Sequence, residues 1–186
     1  MDPNRSRNSW DDTPTSAPTN TTTFAAPPIF NPYHHLFFAN GYVTFSPTSA
    51  LNVAMFFPGP TLLSSEPFAG NVLPGEIGAG PCASVNAYWF NAYSAFFGCD
   101  DGPADCVMQI SVLEAQENAM IPTCHGFKNC HLTPVTFSGH SRNLSGIQFD
   151  AFINGTGPQV FMMDSLAMGW VNNTCSVGIL RIRNRK

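Results

Sequence analysis

Residues 147–154 constrain the fold most. Ile147, Phe149, Ala151 and Ile153 alternate with Gln148, Asp150 and Asn154, and Phe152 is the one apolar exception. A period of two is the signature of a strand with one wet face, whereas an amphipathic helix repeats near 3.6. The same alternation recurs where Met108, Ile110 and Val112 flank Gln109 and Ser111, and where Leu180 and Ile182 flank Arg181 and Arg183. Further strands are expected over 36–45, 51–57, 85–97, 135–138 and 159–168, nearly all separated by Gly, Pro or Asn. Residues 111–118 are the one place where a helical turn is expected. About eight strands without strand–helix–strand alternation predict an all-β fold, an antiparallel β-sandwich or jelly roll.

Composition supports this class. Only 11% of the 186 residues are charged, and 16 Phe, 16 Pro and 15 Gly stand in place of the missing Lys, Glu and Arg. A coiled coil is excluded and a helical bundle disfavoured, because both need charged helix faces. Residues 1–28, rich in Pro, Thr, Ser and Asn, read as a flexible arm; residues 29–186 read as one β-sandwich domain. No apolar run reaches the roughly 18 residues of a spanning helix, so no membrane insertion is expected. Basic residues cluster at the two ends. Between residues 8 and 180 eleven acidic residues face Lys128 and Arg142 alone, a balance of −9. Such a body repels phosphate backbones, so no nucleic acid is expected as a partner. The plain role of the Arg-rich end is solubility.

Six cysteines fit a disulfide framework, for which six positions allow fifteen connectivities. Cys99 and Cys106 flank a turn-rich Asp-Asp-Gly-Pro-Ala-Asp, and a bridge closing that hairpin is expected first. Cys124–Cys130 would close another short loop, and Cys82–Cys175 follows by elimination. Zinc is the rival for Cys124, His125, Cys130 and His131, but the five-residue gap between the cysteines is not that of a zinc knuckle. Glycosylation sequons begin at Asn4, Asn20, Asn143, Asn154 and Asn172, with a weaker one at Asn173. Paired cysteines and sequons together predict a secreted protein, extracellular or in a cell wall. The start, Met-Asp-Pro-Asn-Arg-Ser-Arg, has no apolar signal region, so the sequence is expected to be a mature or excised form or to carry an added Met1.

The string Asn31-Pro-Tyr-His-His-Leu-Phe-Phe-Ala-Asn-Gly-Tyr-Val43 resembles the opening of a cysteine-containing domain found in small secreted fungal proteins. Phe90-Asn-Ala-Tyr-Ser-Ala-Phe-Phe-Gly-Cys99 looks like that family's aromatic strand, and Cys106 precedes an alternating strand as it does there. Phe161-Met-Met-Asp-Ser-Leu-Ala-Met168, followed by Gly169-Trp170 and Asn172-Asn-Thr-Cys175, is similar to its last strands. Asp164-Ser-Leu166 also resembles the closing strand of carbohydrate-binding jelly rolls. The resemblance runs over residues 29–183 and implies a β-sandwich and secretion; the family's activity is largely unknown.

Among candidate sites, Trp89, Tyr93 and Phe97 would share one face of a regular strand over 85–97, with Tyr88, Phe90 and Phe96 on the other. Exposed Tyr and Trp offer sugar rings an apolar face with a polar handle. The plainer reading places most of these aromatics in the core. Trp170, just past a strand, is better placed for exposure. Asp100, Asp101 and Asp105 share one loop and suit calcium, although a solvated turn is the simpler reading. Asp150 and Asp164, on late strands, could pair as glycosidase carboxylates do; His140, in Ser138-Gly-His-Ser141, is the best candidate for a general base. No nucleophile elbow, zinc-protease helix or phosphate loop occurs.

The reading that results is a non-catalytic binding or surface-interaction protein. Trp89, Tyr93 and Trp170 are expected to stack on a neutral cell-wall polysaccharide or a glycoprotein glycan, while Asp150 or Asp164 bonds hydroxyls. The alternatives are a self-assembling structural or host-interaction protein of the extracellular surface, and a glycan hydrolase or lyase using Asp150, Asp164 or His140.

Overall fold

The computed structural model describes residues 6–8, 29, 31–45, 53–58, 73–100, 105–124, 131–153 and 158–183. The strands are β1 (Ser6–Asn8), β2 (Phe37–Phe38), β3 (Tyr42–Phe45), β4 (Val53–Phe56), β5 (Glu76–Gly78) and β6 (Phe90–Asp100). They continue with β7 (Cys106–Val112), β8 (Ala115–Ile121), β9 (Thr123–Cys124), β10 (Thr133–Thr136), β11 (Gly146–Ile153) and β12 (Phe161–Trp170). One helix, α1 (Cys175–Arg183), ends the described chain. It is too short to cross a membrane, and no helix among the described residues is long and apolar enough to do so.

The strands form two sheets. One runs β10-β6-β12-β4-β3, with β1 added to β12 and β9 to β6; the other runs β2-β5-β11-β7-β8. Pairing is antiparallel throughout except for the short β6–β9 contact. Alternation builds the interface between them. Along β11, Ile147, Phe149, Ala151 and Ile153 are buried while Gln148, Asp150 and Phe152 are half-buried. From the other sheet Phe97, Phe161 and Met163 enter the same cluster. Phe149 lies 5.3 Å from Phe97 and 5.9 Å from Phe137 between ring centroids, so the abundant Phe form the layer joining the sheets. The expected all-β sandwich is what the chain adopts.

The turn before β5 shows how tightly the sheets are pinned. Gly75 has φ +74, and its carbonyl accepts both the Tyr42 hydroxyl at 2.9 Å and the Phe149 N–H at 3.1 Å. A Cβ there would collide with the Phe149 carbonyl, so the left-handed turn and the close approach both require glycine.

Several expectations are corrected. Residues 111–118 form no helical turn: β7 and β8 make a hairpin around Leu113-Glu114, paired from Val112↔Ala115 to Cys106↔Ile121. The Leu180–Arg183 alternation belongs to α1, not to a strand. Val177 and Arg181, four residues apart, pack inward while Ile179 and Ile182 stay exposed. The expected strand over 85–97 begins only at Phe90, after a 3-10 turn at Asn86–Tyr88. Residues 36–45 break into β2 and β3 around Gly41. Ser6–Asn8, inside the expected arm, pair with Leu166–Met168 of β12.

Cys99 and Cys106 are bridged as expected, and both are fully buried. The bond does not close a simple hairpin, because β6 and β7 lie in different sheets; it ties the two layers of the sandwich together. The expected Cys82–Cys175 bridge is not formed. Cys82 packs half-buried against Ala79, Ala87 and Tyr88, while Cys175 is an exposed thiol opening α1. Cys130 and the Cys124 side chain lie outside the described residues.

Replacing Phe149 by Ala removes the ring at the centre of this layer. Urea denaturation is expected to show a loss of about 3–5 kcal/mol, and a loss below about 1 kcal/mol, the scale of a surface change, would contradict the layer's role.

Candidate functional site

A groove of about 550 Å³ opens at the end of β6, lined by Asn86, Trp89, Asn143, Asn172, Asn173 and Thr174, with Val171. Its floor residue, Trp89, lies just before β6 in extended conformation. The Trp89 carbonyl accepts the Val171 N–H at 3.0 Å, which brings the end of β12 to one side. On the other side Phe90 and Leu144 exchange backbone hydrogen bonds of 2.9 and 2.8 Å, which brings in the loop carrying Asn143. The indole Nε1 donates to the Ala83 carbonyl at 2.7 Å, so the ring orientation is set. Asn143 is held at φ 56 while its N–H donates to Asn91 Oδ1 at 2.8 Å. An indole set among side-chain amides and a hydroxyl can stack on an apolar ring face while donating to and accepting from its hydroxyls.

Arg181 ties the groove walls together. Its side chain is buried, and Nη1 donates to the carbonyls of Ala87 and Asn172, the latter at 3.0 Å. Ala87 neighbours Asn86 in one wall, and Asn172 belongs to the other. The same guanidinium lies 4.7 Å from the Trp170 ring centroid. Burial pulls its pKa below the ordinary value, and Tyr88 opposes that shift. The second wall is shaped locally: Asn172 Oδ1 accepts from the Thr174 N–H at 3.1 Å and from its hydroxyl at 3.0 Å, turning the chain into α1.

Only one of the three expected stacking residues lines this groove. Tyr93 lies under Arg142, whose guanidinium carbon stands 4.6 Å from the ring centroid while Nη1 donates to the Ala92 and Ser141 carbonyls. Trp170 is half-buried beneath Arg181 and meets His35 edge-on at 6.1 Å. Phe97 does not share a face with Tyr93. Compensating register shifts between β6 and β12 change the phase, so Ala92 and then Ala95 and Phe97 turn into the core.

Asp150 and Asp164 do not pair. On β11 the inward residues are odd-numbered, so Asp150 faces outward from the five-stranded sheet. On β12 Phe161 and Met163 face inward, so Asp164 lies on the outer side of the other sheet, where Oδ1 accepts the Ser165 N–H at 2.6 Å. The two carboxylates stand on opposite faces of the sandwich, which rules out a shared glycosidase site. Ser165, at φ 49, marks the register shift.

His140 is exposed on a turn, with its N–H on Ser138 Oγ at 3.3 Å, and lines a second groove with Glu114 and Arg142. Asp105 is exposed; Asp101 and the Asp100 side chain lie outside the described residues, as do Asn4, Asn20 and Asn154. No group of three or more metal-ligating side chains occurs among the described residues. Sequence reasoning missed Asn86 and Arg181. The Asn172-Asn-Thr turn before α1 was the available signal for a helix start that would have turned Arg181 inward.

The fold and this groove define a disulfide-linked β-sandwich with a polar, tryptophan-floored surface site. The chain belongs to DUF7371, a domain of unknown function, which matches residues 4–181. No curated protein and no solved structure matches it.

Away from the groove, the outer face of the five-stranded sheet carries two half-buried carboxylates. Glu76 on β5 pairs in register with Gln148, folds over Gly146 and accepts the Leu73 N–H at 2.7 Å. Asp150 follows on β11. Burial raises both pKa values from the ordinary 4.5 and 3.8; for Glu76 it outweighs the Leu73 hydrogen bond. Because the folded-state values are raised, the folded protein binds more protons just above those ordinary values. Stability from these groups is complete below their unfolded pKa and lost as pH rises through the folded one. The double change Glu76→Gln, Asp150→Asn is expected to flatten the fall in urea midpoint as pH rises above about 4, and an unchanged or steeper fall would contradict this.

Proposed function

We propose that the protein is a secreted, non-catalytic module, N-glycosylated at sequons other than Asn143 and Asn172, that binds a neutral cell-wall glycan, as the resemblance to small secreted fungal domains suggests. The observation that carries the reading is the Trp89 groove. A fixed indole is surrounded by Asn86, Asn143, Asn172, Asn173 and Thr174, a donor and acceptor set without formal charge. Neutral polyols suit such a lining, since ring faces cover the indole and hydroxyls satisfy the amides. The acidic body disfavours polyanionic ligands. The placement of Asp150 and Asp164 on opposite faces supports binding over hydrolysis.

Self-association is the second reading. β8 ends the five-stranded sheet, and Leu113 and Met120, 97% and 62% exposed, lie on its hairpin. Such an edge is open to pairing with another chain.

Asn143 and Asn172 both wall the groove and begin sequons, so the test uses protein freed of N-glycans. Parent protein is expected to be retained on at least one of chitin, β-glucan and cellulose. Trp89→Ala, with an unchanged thermal melt, should bind about tenfold or more weakly, a loss of roughly 1.4 kcal/mol. Equal retention by the variant removes this site. Retention by neither, with sedimentation that rises with concentration, favours self-association.

A further inference from the structure

We propose that the site takes an internal segment of an extended glycan chain, not a terminal sugar. This rests on the reading that the Trp89 groove holds a glycan. The groove does not stand alone. A second groove of about 360 Å³, reaching Leu113, Glu114 and His140, shares Trp89 and Asn143 with the first. A third of about 150 Å³, reaching Gln116, Glu117 and Ser138, shares Val112, Ala115 and His140 with the second. Shared walls set the three side by side as a track over the 138–146 loop and the β7–β8 hairpin.

The anchor stands inside this track, not at its end. Trp89 and Asn143 are the junction of the first two grooves, and both are fixed, the one through Ala83 and the other through Asn91. A sugar stacked on Trp89 therefore has a neighbouring site on each side, which only a chain running across the indole can fill. A site that fits one compact ligand measures roughly 300–1,000 Å³, a range the first groove already meets. The additional grooves add contact for a longer ligand. The chemistry changes along the track. The end at Asn172 is neutral, whereas the second groove holds Glu114 beside Arg142 and the third holds Glu117, which accepts the Ser138 N–H through both oxygens at 3.1 and 3.0 Å. Carboxylates there accept from sugar hydroxyls and repel acidic polymers.

The test is a calorimetric titration with laminari- and chito-oligosaccharides from dimer to octamer. For the parent protein the octamer is expected to bind about tenfold or more tightly than the dimer, roughly 1.4 kcal/mol. Ala115→Phe, which fills the junction of the second and third grooves, should abolish that gain and leave dimer affinity unchanged. His140→Ala, on an exposed turn, should reduce the gain and covers the case in which Ala115→Phe fails to fold. Equal affinity for dimer and octamer overturns the extended track while leaving the Trp89 site standing. Binding of no oligomer, together with polymer retention indifferent to Trp89→Ala, overturns both. Capture of an extended peptide library in place of any oligosaccharide also overturns the proposal.

Discussion

A single buried guanidinium bridges the two sides of the groove. Arg181 reaches out of α1 to the carbonyls of Ala87 and Asn172, which belong to opposite walls. Buried carbonyls need donors, and an arginine fork can serve two that lie on different segments. A lysine is a compact point charge without that planar fork. The position of α1 follows from the same contact, since Val177 on the inner side of the helix adds only a small apolar patch with Ala79, Ala87 and Tyr88. The polar face of the site is therefore held by a polar interaction, while the sandwich behind it is held by phenylalanine.

That division lets a rigid layer support a hydrated edge. The Phe97, Phe149 and Phe161 layer and the Cys99–Cys106 bond fix the two sheets to each other. Both walls then follow from strand ends: Trp89 precedes β6, and Val171 follows β12, the strand paired with it. The register shifts between those strands turn Tyr93 toward Arg142, while Trp89 lies before β6, outside the shifted stretch. Bulges near a functional edge commonly redirect side chains in this way.

Much of the sandwich was legible because alternation is a local signal. Residues 147–153 and 108–112 can be read as strands without knowing their partners, and the expected inward residues are buried, except Val112, which is half-buried. The Cys99–Cys106 bond was legible from the turn between them, although its inter-sheet character was not. The site was less legible. Trp89 is legible, but apart from Asn86 its companions, Asn143 and residues 171–174, come from segments more than 50 residues away, which no local pattern connects. Tyr93 and Phe97 share a face only in a regular strand, and the paired register shifts overturn that. Arg181 was hidden because Leu180-Arg-Ile-Arg183 reads as period two, and a nine-residue helix is too short to impose its own period on so few apolar positions. Asp150 and Asp164 each lie outward on a strand, and only the assignment of those strands to different sheets shows that they cannot meet.

The central claim is that the Trp89 ring touches a glycan, and tryptophan emission tests it most directly. The sequence holds three tryptophans, so changing Trp10 and Trp170 to Phe leaves Trp89 as the sole reporter. Titrating that protein with soluble β-glucan and chitin oligomers is expected to give a saturable shift of emission to shorter wavelength as a sugar ring replaces water on the indole. An emission spectrum unchanged at oligomer concentrations that saturate binding would place the ligand elsewhere and contradict the account.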